Sequence, residues 1–241
     1  LFSTARAIRL MGTDANKTYG LSPEIAWNYG LSFTQYLPLG GRDLELVGDL
    51  YYTNFTNQVV VDWDNPREVS FYNLTGKSFS TNFQLEANYE ILKRTHLKVA
   101  YKWFDVQTDY ISGRRTQPLQ PKERWLVNFS YETAPREGRQ WKFDTTFNAI
   151  GSQRLPDTAA NPLAYQMGDT APSYTTTQAQ LTRVFSPMIE AYVGAENLFN
   201  YYQKHAIIAA DAPFGTYFDA SMAYAPVQGR MIYAGLRFKL K

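Results

Sequence analysis

The sequence predicts an all-β chain, a transmembrane antiparallel β-barrel, and three observations predict it. The first is alternation. From Phe79 to Ile91 every second residue forms the row Phe79, Thr81, Phe83, Leu85, Ala87, Tyr89 and Ile91, with Ser80, Asn82, Gln84, Glu86, Asn88 and Glu90 between them. Side chains alternate across a strand, so one face is apolar apart from Thr81 and the other is wholly polar. The second is length. About ten residues cross a membrane in a tilted strand, whereas strands of soluble sheets usually stop near six. The third is the segregation of short and long connections, which follows from the strands themselves.

Nine long strands are expected: Pro23–Tyr36, Arg42–Asp62, Val69–Leu92, His96–Gln107, Lys122–Glu132, Gln140–Arg154, Ser173–Phe185, Met188–Asn197 and Arg230–Leu240. In the second, Leu44, Leu46 and Leu50 oppose Asp43, Glu45 and Asp49. In the fourth, Leu97, Val99, Tyr101 and Trp103 oppose His96, Lys98 and Lys102. The fifth sets Trp125, Val127, Phe129 and Tyr131 against Arg124, Asn128, Ser130 and Glu132. The sixth sets Trp141, Phe143 and Phe147 against Lys142, Asp144 and Asn148, and the last sets Ile232, Ala234, Leu236, Phe238 and Leu240 against Arg237 and Lys239. The seventh is mostly Thr and Gln.

Short connections (Leu37–Gly41, Leu92–Thr95, Thr133–Gly138, Ser186–Pro187) alternate with long ones (Trp63–Glu68, Thr108–Pro121, Leu155–Pro172, Leu198–Gly229). Tight turns at one rim and long loops at the other are the outer-membrane barrel plan. A register follows for the third and fourth strands. Pairing residues whose numbers sum to 188 sets Leu85 against Trp103, Ala87 against Tyr101 and Tyr89 against Val99, with Glu86 facing Lys102 and Glu90 facing Lys98. A one-residue slip would turn both glutamates toward lipid, at up to about 2–4 kcal/mol for a mid-membrane charge. Nine strands cannot close such a barrel, because single-chain bacterial barrels have an even strand number.

Bulk composition narrows the classes. Aromatic residues make up 16%, with 18 Tyr and 15 Phe among 241 residues, rich in what strands and membrane interfaces favour. No apolar run approaches the roughly 18 residues of a spanning helix, and the mean hydropathy is negative. A net charge of +2 gives no reason to expect nucleic acid. Without cysteine there is no disulfide, zinc–thiolate site or thiol chemistry. The opening Leu1-Phe2-Ser3 has no initiator Met, charged region or apolar leader, and we expect a fragment of a longer chain.

Asp43, Glu45, Asp49, Glu86, Glu90, Lys98, Lys102 and Arg124 recur at two-residue spacing and read as a lumen wall rather than as catalytic pairs. There is no Gly-x-Ser-x-Gly, phosphate-cradling loop or metal-ligand spacing, so no catalysis, cofactor or metal is expected. Of the two histidines, His96 reads as a solvated rim residue. His205 lies in the last long loop, within reach of a ligand or simply exposed. Tyr110, Arg114, Arg115, Tyr165, Gln166, Tyr201, Tyr202, His205, Phe214 and Tyr217 occupy the long loops. Loops on a rigid frame are where binding residues concentrate, and aromatic rings offer contact area to a bulky ligand. Tyr and Arg also simply populate exposed loops. Trp63, Phe71, Tyr72, Trp103, Trp125, Trp141 and Tyr192 read as interfacial girdles.

The ordered set Pro23-Glu24, Asn28-Tyr29-Gly30-Leu31, Asp49-Leu50-Tyr51-Tyr52-Thr53, Asn57-Gln58-Val59, Phe71-Tyr72-Asn73-Leu74 and Gly76-Lys77-Ser78 resembles the second half of TonB-dependent outer-membrane transporters. Gly194-Ala195-Glu196-Asn197-Leu198-Phe199-Asn200 resembles their penultimate strand, and Gly229-Arg230-Met231-Ile232-Tyr233-Ala234-Gly235-Leu236-Arg237-Phe238 their final one. The resemblance covers Pro23 to Leu240 and is nearest the cobalamin and siderophore type, with Bacteroidetes-like wording in the tail. It implies that residues 1–241 are the C-terminal part of a 22-stranded barrel in a Gram-negative outer membrane. A plug domain and TonB box would lie outside this chain. The implied partners are the TonB complex, the plug, the lipid bilayer and a small-molecule or chelate ligand, with a surface lipoprotein as a further candidate. The ending Leu240-Lys241 departs from the aromatic residue usual in the family. Three other readings compete: a passive porin, a barrel acting as adhesin or assembly partner, and, remotely, a soluble β-sandwich. Sequence upstream of Leu1 would separate the first.

Overall fold

The computed structural model describes residues 6–239; the chain opening at Leu1 and the expected strand end at Leu240 and Lys241 lie outside the described residues. Among the described residues fifteen strands follow in order: β1 Ala7–Leu10, β2 Ile25–Leu39, β3 Arg42–Asn57, β4 Val59–Asn65, β5 Glu68–Asn73, β6 Ser78–Leu92, β7 Thr95–Tyr110, β8 Gly113–Thr116, β9 Glu123–Glu132, β10 Gln140–Ile150, β11 Gln153–Arg154, β12 Thr170–Ala171, β13 Tyr174–Ser186, β14 Ile189–Glu196 and β15 Met231–Phe238. The wall is one antiparallel sheet in the order β15-β14-β13-β10-β9-β7-β6-β3-β2, with β8 alongside β7. Each of the nine expected strands contributes one strand to that path.

The ladders sort the side chains by face. Leu50 faces Phe83, Phe83 faces Trp103, Tyr101 faces Trp125 and Val127 faces Phe147 across four successive strand boundaries. Leu31 and Ile232 on this face are 76% and 70% exposed, an apolar exposure that water-facing sheets avoid. The other face pairs Asp49 with Gln84, Asn88 with Lys98 and Ser130 with Asp144. Asp43, Glu45, Asp49, Glu86, Glu90, Lys98, Lys102 and Arg124 all lie on it, as their partners in the ladders show.

The register of β6 against β7 differs from expectation by two residues. Phe83, Leu85, Ala87 and Tyr89 meet Trp103, Tyr101, Val99 and Leu97, and Lys98 sits opposite Asn88. The faces are unchanged, since a two-residue slip preserves them. The turn sets the register, not the charges. Leu92 pairs with Thr95 around Lys93-Arg94, Arg94 takes φ 65°, and a bulge falls between Glu90 and Leu92. The Arg94 amide donates to Glu90 Oε1 at 2.6 Å, fixing that geometry. Lys98 then reaches Glu86 diagonally, at 2.7 Å.

The second and third expected strands are each broken in two. Above Asn57 and below Asn73 the chain leaves the wall, and β4 and β5 form a separate sheet with β1 parallel to β5. Two asparagines clamp the exit in place of ladder bonds. Asn57 Nδ2 donates to Pro23 O at 2.7 Å, and Asn73 Nδ2 donates to Ser22 O at 2.9 Å and to Asn57 Oδ1 at 3.2 Å. Val60, Tyr72 and Tyr110 form a small core there, with Met11 and Leu74 against it. Tyr72 is therefore a core residue and not part of an interfacial girdle. Its hydroxyl donates to Asp62 Oδ2 at 2.9 Å and accepts from the Ile111 amide at 3.1 Å. Burial pushes the Tyr72 phenol well above its usual pKa.

Tyr192 also departs from the expected girdle. It lies on the polar face between Thr182 and Gly235, and its ring covers Gly235 as that of Tyr233 covers Gly194. A Cβ at Gly194 would stand 2.4 Å from Tyr233 Cζ. The missing side chain is what lets the ring lie flat on the strand.

Candidate functional site

At the long-loop end the connections fold onto one another rather than standing apart. Two arginines tie them. Arg67, in the β4–β5 turn, donates to Thr216 O at 2.6 Å and to Asn161 Oδ1, and its guanidinium lies 4.3 Å from the Tyr217 ring centre. Tyr217 stacks on Tyr165 at 5.5 Å. One planar cation thus joins the turn to both the 155–172 and the 198–229 connections, using the fork and stacking surface particular to arginine. Arg6 donates to Asp219 Oδ2 at 2.9 and 2.7 Å and to the carbonyls of Trp63 and Asn65. Beneath them Ile208, Ala209 and fully buried Met222 form a second small core, packed by Tyr165, Met167 and Tyr217.

The last connection owes its shape to the Glu196–Asn200 motif. Asn197 and Asn200 take φ values of 50° and 58°, the left-handed region that asparagine tolerates better than most residues. Asn197 Oδ1 accepts the Tyr201 amide at 3.0 Å, and Asn200 Oδ1 accepts the Arg230 amide at 2.8 Å. The motif ends β14 and starts β15 at the same point, so a long insertion leaves the ladder undisturbed. Gln203, 5% exposed, holds the interior of the loop. It donates to Met222 O at 3.0 Å and accepts from the Tyr224 amide at 2.8 Å. Sequence reading passed over Gln203, because a lone glutamine between Tyr202 and Lys204 carries no local signal.

Between the 155–172 and 198–229 connections lies a cavity of about 940 Å³. Tyr165, Gln166, Tyr201, Tyr202 and His205 from the expected binding set line it, with Met167, Tyr224, Lys204 and Asp211. Tyr201 stacks on Tyr174 at 5.2 Å with a 5° interplanar angle, which anchors its wall to β13. Gln166 is engaged already, donating to Ala159 O and Asn161 O. Tyr202 is free to present its ring, at 46% exposure. The lining is mainly apolar and uncharged, with four tyrosines and few charges, a composition common to sites for bulky small molecules.

The rest of the expected set is elsewhere. Tyr110 is not in a loop: it ends β7, buried at 8% exposure beneath the Arg154 guanidinium. Arg114 and Arg115 belong to β8, which replaces part of the expected Thr108–Pro121 loop. Arg114 Nε and Nη2 donate to Asp109 at 2.7 and 3.0 Å, and Arg115 pairs with Asp64 at 3.4 Å beside the shorter Arg154–Asp64 bridge. The Arg114 guanidinium holds the Asp109 carboxyl below its usual pKa, helped by the Lys77 amide. Phe214 is fully exposed outside the cavity, and Tyr217 supports it from behind. His96 faces Glu90 and Ser130 near the short-turn rim.

Residues 2–198 match the family model described as TonB dependent receptor-like, beta-barrel. No curated protein is similar enough in sequence to match the chain. Solved structures agree in fold. The copper transporter OprC superposes with a TM-score of 0.65 at 14% identity, over 93% of this chain and 33% of that one. The ferric-catecholate import receptor Fiu of E. coli K12 gives 0.62 at 13% identity, over 97% and 30%. FpvA of P. aeruginosa, solved with a pyoverdine and iron, gives 0.62 at 15%, over 90% and 27%. The chain spans about a third of the length of the structures it resembles.

Proposed function

We propose a function from the premise that this chain belongs to the TonB-dependent receptor β-barrel family. The complete protein is an outer-membrane receptor that takes up a scarce, bulky nutrient of the metal–siderophore, cobalamin or related chelate type. The ligand docks at the extracellular long-loop end, in the cavity lined by Tyr165, Tyr201, Tyr202 and His205. Uptake follows rearrangement of a plug held inside the barrel and pulled through the TonB complex. The work of this segment is binding and scaffolding, without covalent chemistry.

The carrying observation is the cavity of about 940 Å³ braced by Arg6 and Arg67 at the rim that bears the long connections. Structural neighbours that are a copper transporter and a ferric-catecholate import receptor support a chelate as cargo. The test uses the full-length protein in a receptor-deficient Gram-negative strain, supplied with radiolabelled ferric siderophores and cyanocobalamin. Saturable uptake that disappears without TonB is expected. Equal uptake with and without TonB would identify a passive channel, and no uptake beside a constantly copurifying partner would identify an assembly role.

A further inference from the structure

On the polar face Lys102 and Arg124 stand directly opposite each other on β7 and β9. Like charges in that relation repel, and among the described residues neither forms an ion pair. The row crossing the wall at their level reads Asp49, Gln84, Lys102, Arg124, Ile150 and Tyr174. Asp49 is two strand spacings from Lys102, roughly 10 Å, and already accepts the Ser32 hydroxyl at 2.5 Å. One step toward the short-turn rim, Glu86 is held by Lys98 at 2.7 Å and by Asn88 at 2.9 Å. No free acid nearby balances the two cations; the contact Lys102 does make is with a ring, its Nζ lying 4.6 Å from the Phe104 centre.

Both line a cavity of about 450 Å³ with Asn148, Tyr174 and Thr176, and Pro226 of the last long connection closes one side. Every polar side chain added by those neighbours can donate a hydrogen bond, and the one acid in the lining is Glu86, already paired. Arginine offers a planar fork to paired oxygens and lysine a mobile point charge. We propose that Lys102 and Arg124 form a binding site for a compact oxyanion, a carboxylate or phosphate-class group, inside the barrel. The inference rests on the functional reading, which makes this face the wall of an enclosed interior. The oxyanion comes from one of two sources: an acidic side chain of the plug, or an anionic ligand on its way through.

Lysine footprinting decides it on the full-length protein in outer-membrane vesicles. An acetylating reagent is applied and labelling at Lys102 is read by mass spectrometry against Lys93, which is exposed in a turn. If the plug supplies the acid, Lys102 labels at least fivefold less than Lys93 and becomes reactive when urea releases the plug. If the anion is free, Lys102 labels readily in buffer. It is then protected by millimolar citrate, not by sucrose or by potassium chloride at equal ionic strength, and Arg124→Gln removes the protection. Labelling indifferent to plug and citrate, or protection equal with chloride, overturns the site. Chelate uptake that persists without TonB would unseat the functional reading alone. A Lys102 that neither the plug nor citrate protects, in an actively transporting protein, would unseat this site alone.

Discussion

Arg6 and Asp219, 213 positions apart, meet at 2.7 Å with side chains 0% and 6% exposed. Removing one partner of a buried pair leaves the other charge without compensation, at about 3–5 kcal/mol. Asp219→Ala is expected to loosen the 198–229 connection by that amount while the wall keeps its resistance to heat and detergent. Amide exchange across residues 203–222 measures it, and Arg6→Met with Asp219→Leu is expected to recover most of the protection. Unchanged exchange in Asp219→Ala would show that the loop holds without the pair.

A methyl group at Gly194 would have to displace the Tyr233 ring that covers it. Gly194→Ala is expected to cost about 1–3 kcal/mol through displaced packing and to slow folding of the β14–β15 hairpin. The readout is the fraction of heat-modifiable folded barrel after expression. Gly194→Ala combined with Tyr233→Ala is expected to assemble better than Gly194→Ala alone.

Face assignment has its own test. Leu85 and Gln84 are neighbours on β6, one among apolar partners and the other facing Asp49 and Lys102. Leu85→Arg is expected to destabilise the barrel by about 2–4 kcal/mol in lipid, whereas Gln84→Arg leaves it within about 1 kcal/mol. Equilibrium unfolding in bilayers measures both. Equal penalties would reverse or abolish the assignment.

Acid is expected to release the β7–β8 hairpin. Asp109 accepts Arg114 and the Lys77 amide, and its carboxyl pKa is lowered on folding. A lowered folded-state pKa means the contribution is complete above the unfolded value of about 3.9. It is lost as pH falls through the folded one. Exchange protection at residues 113–116 should therefore hold from pH 7 to pH 5 and drop below about pH 4. Asp109→Asn should lower it throughout and flatten the profile.

Within the cavity, Tyr202 presents an unstacked ring, while Tyr165 and Tyr201 are each held against another tyrosine. If the proposed function holds, Tyr202→Ala is expected to weaken chelate binding about tenfold, the cost of one aromatic contact residue, with barrel assembly unchanged. Titration of the full-length protein with the chelate identified by uptake measures the change.

Strands and faces were legible because alternation is a local signal, enforced by the cost of turning Glu86 or Lys98 toward lipid. The β6–β7 register was not, because it depends on the backbone of Arg94 and a bulge after Glu90. Charge pairing accepts a diagonal as readily as a direct partner. The departure of β4 and β5 from the wall was hidden for a similar reason: Val59, Val60 and Val61 suit any strand, and the clamp by Asn57 and Asn73 acts on Ser22 and Pro23 far along the chain. Loop composition pointed to Tyr165, Tyr201, Tyr202 and His205, which the fold gathers around one cavity. It could not reveal that Arg114 and Arg115 are occupied by Asp109 and Asp64, since those contacts exist only after folding.

Because the β6–β7 hairpin takes its register from the short-turn rim, and Asn197 and Asn200 close the β14–β15 ladder before the last insertion begins, the two ends can diverge independently. Lengthening or rewriting the upper segments would shift no residue of the apolar belt. The same wall can therefore stay as it is while the long connections above it are rewritten.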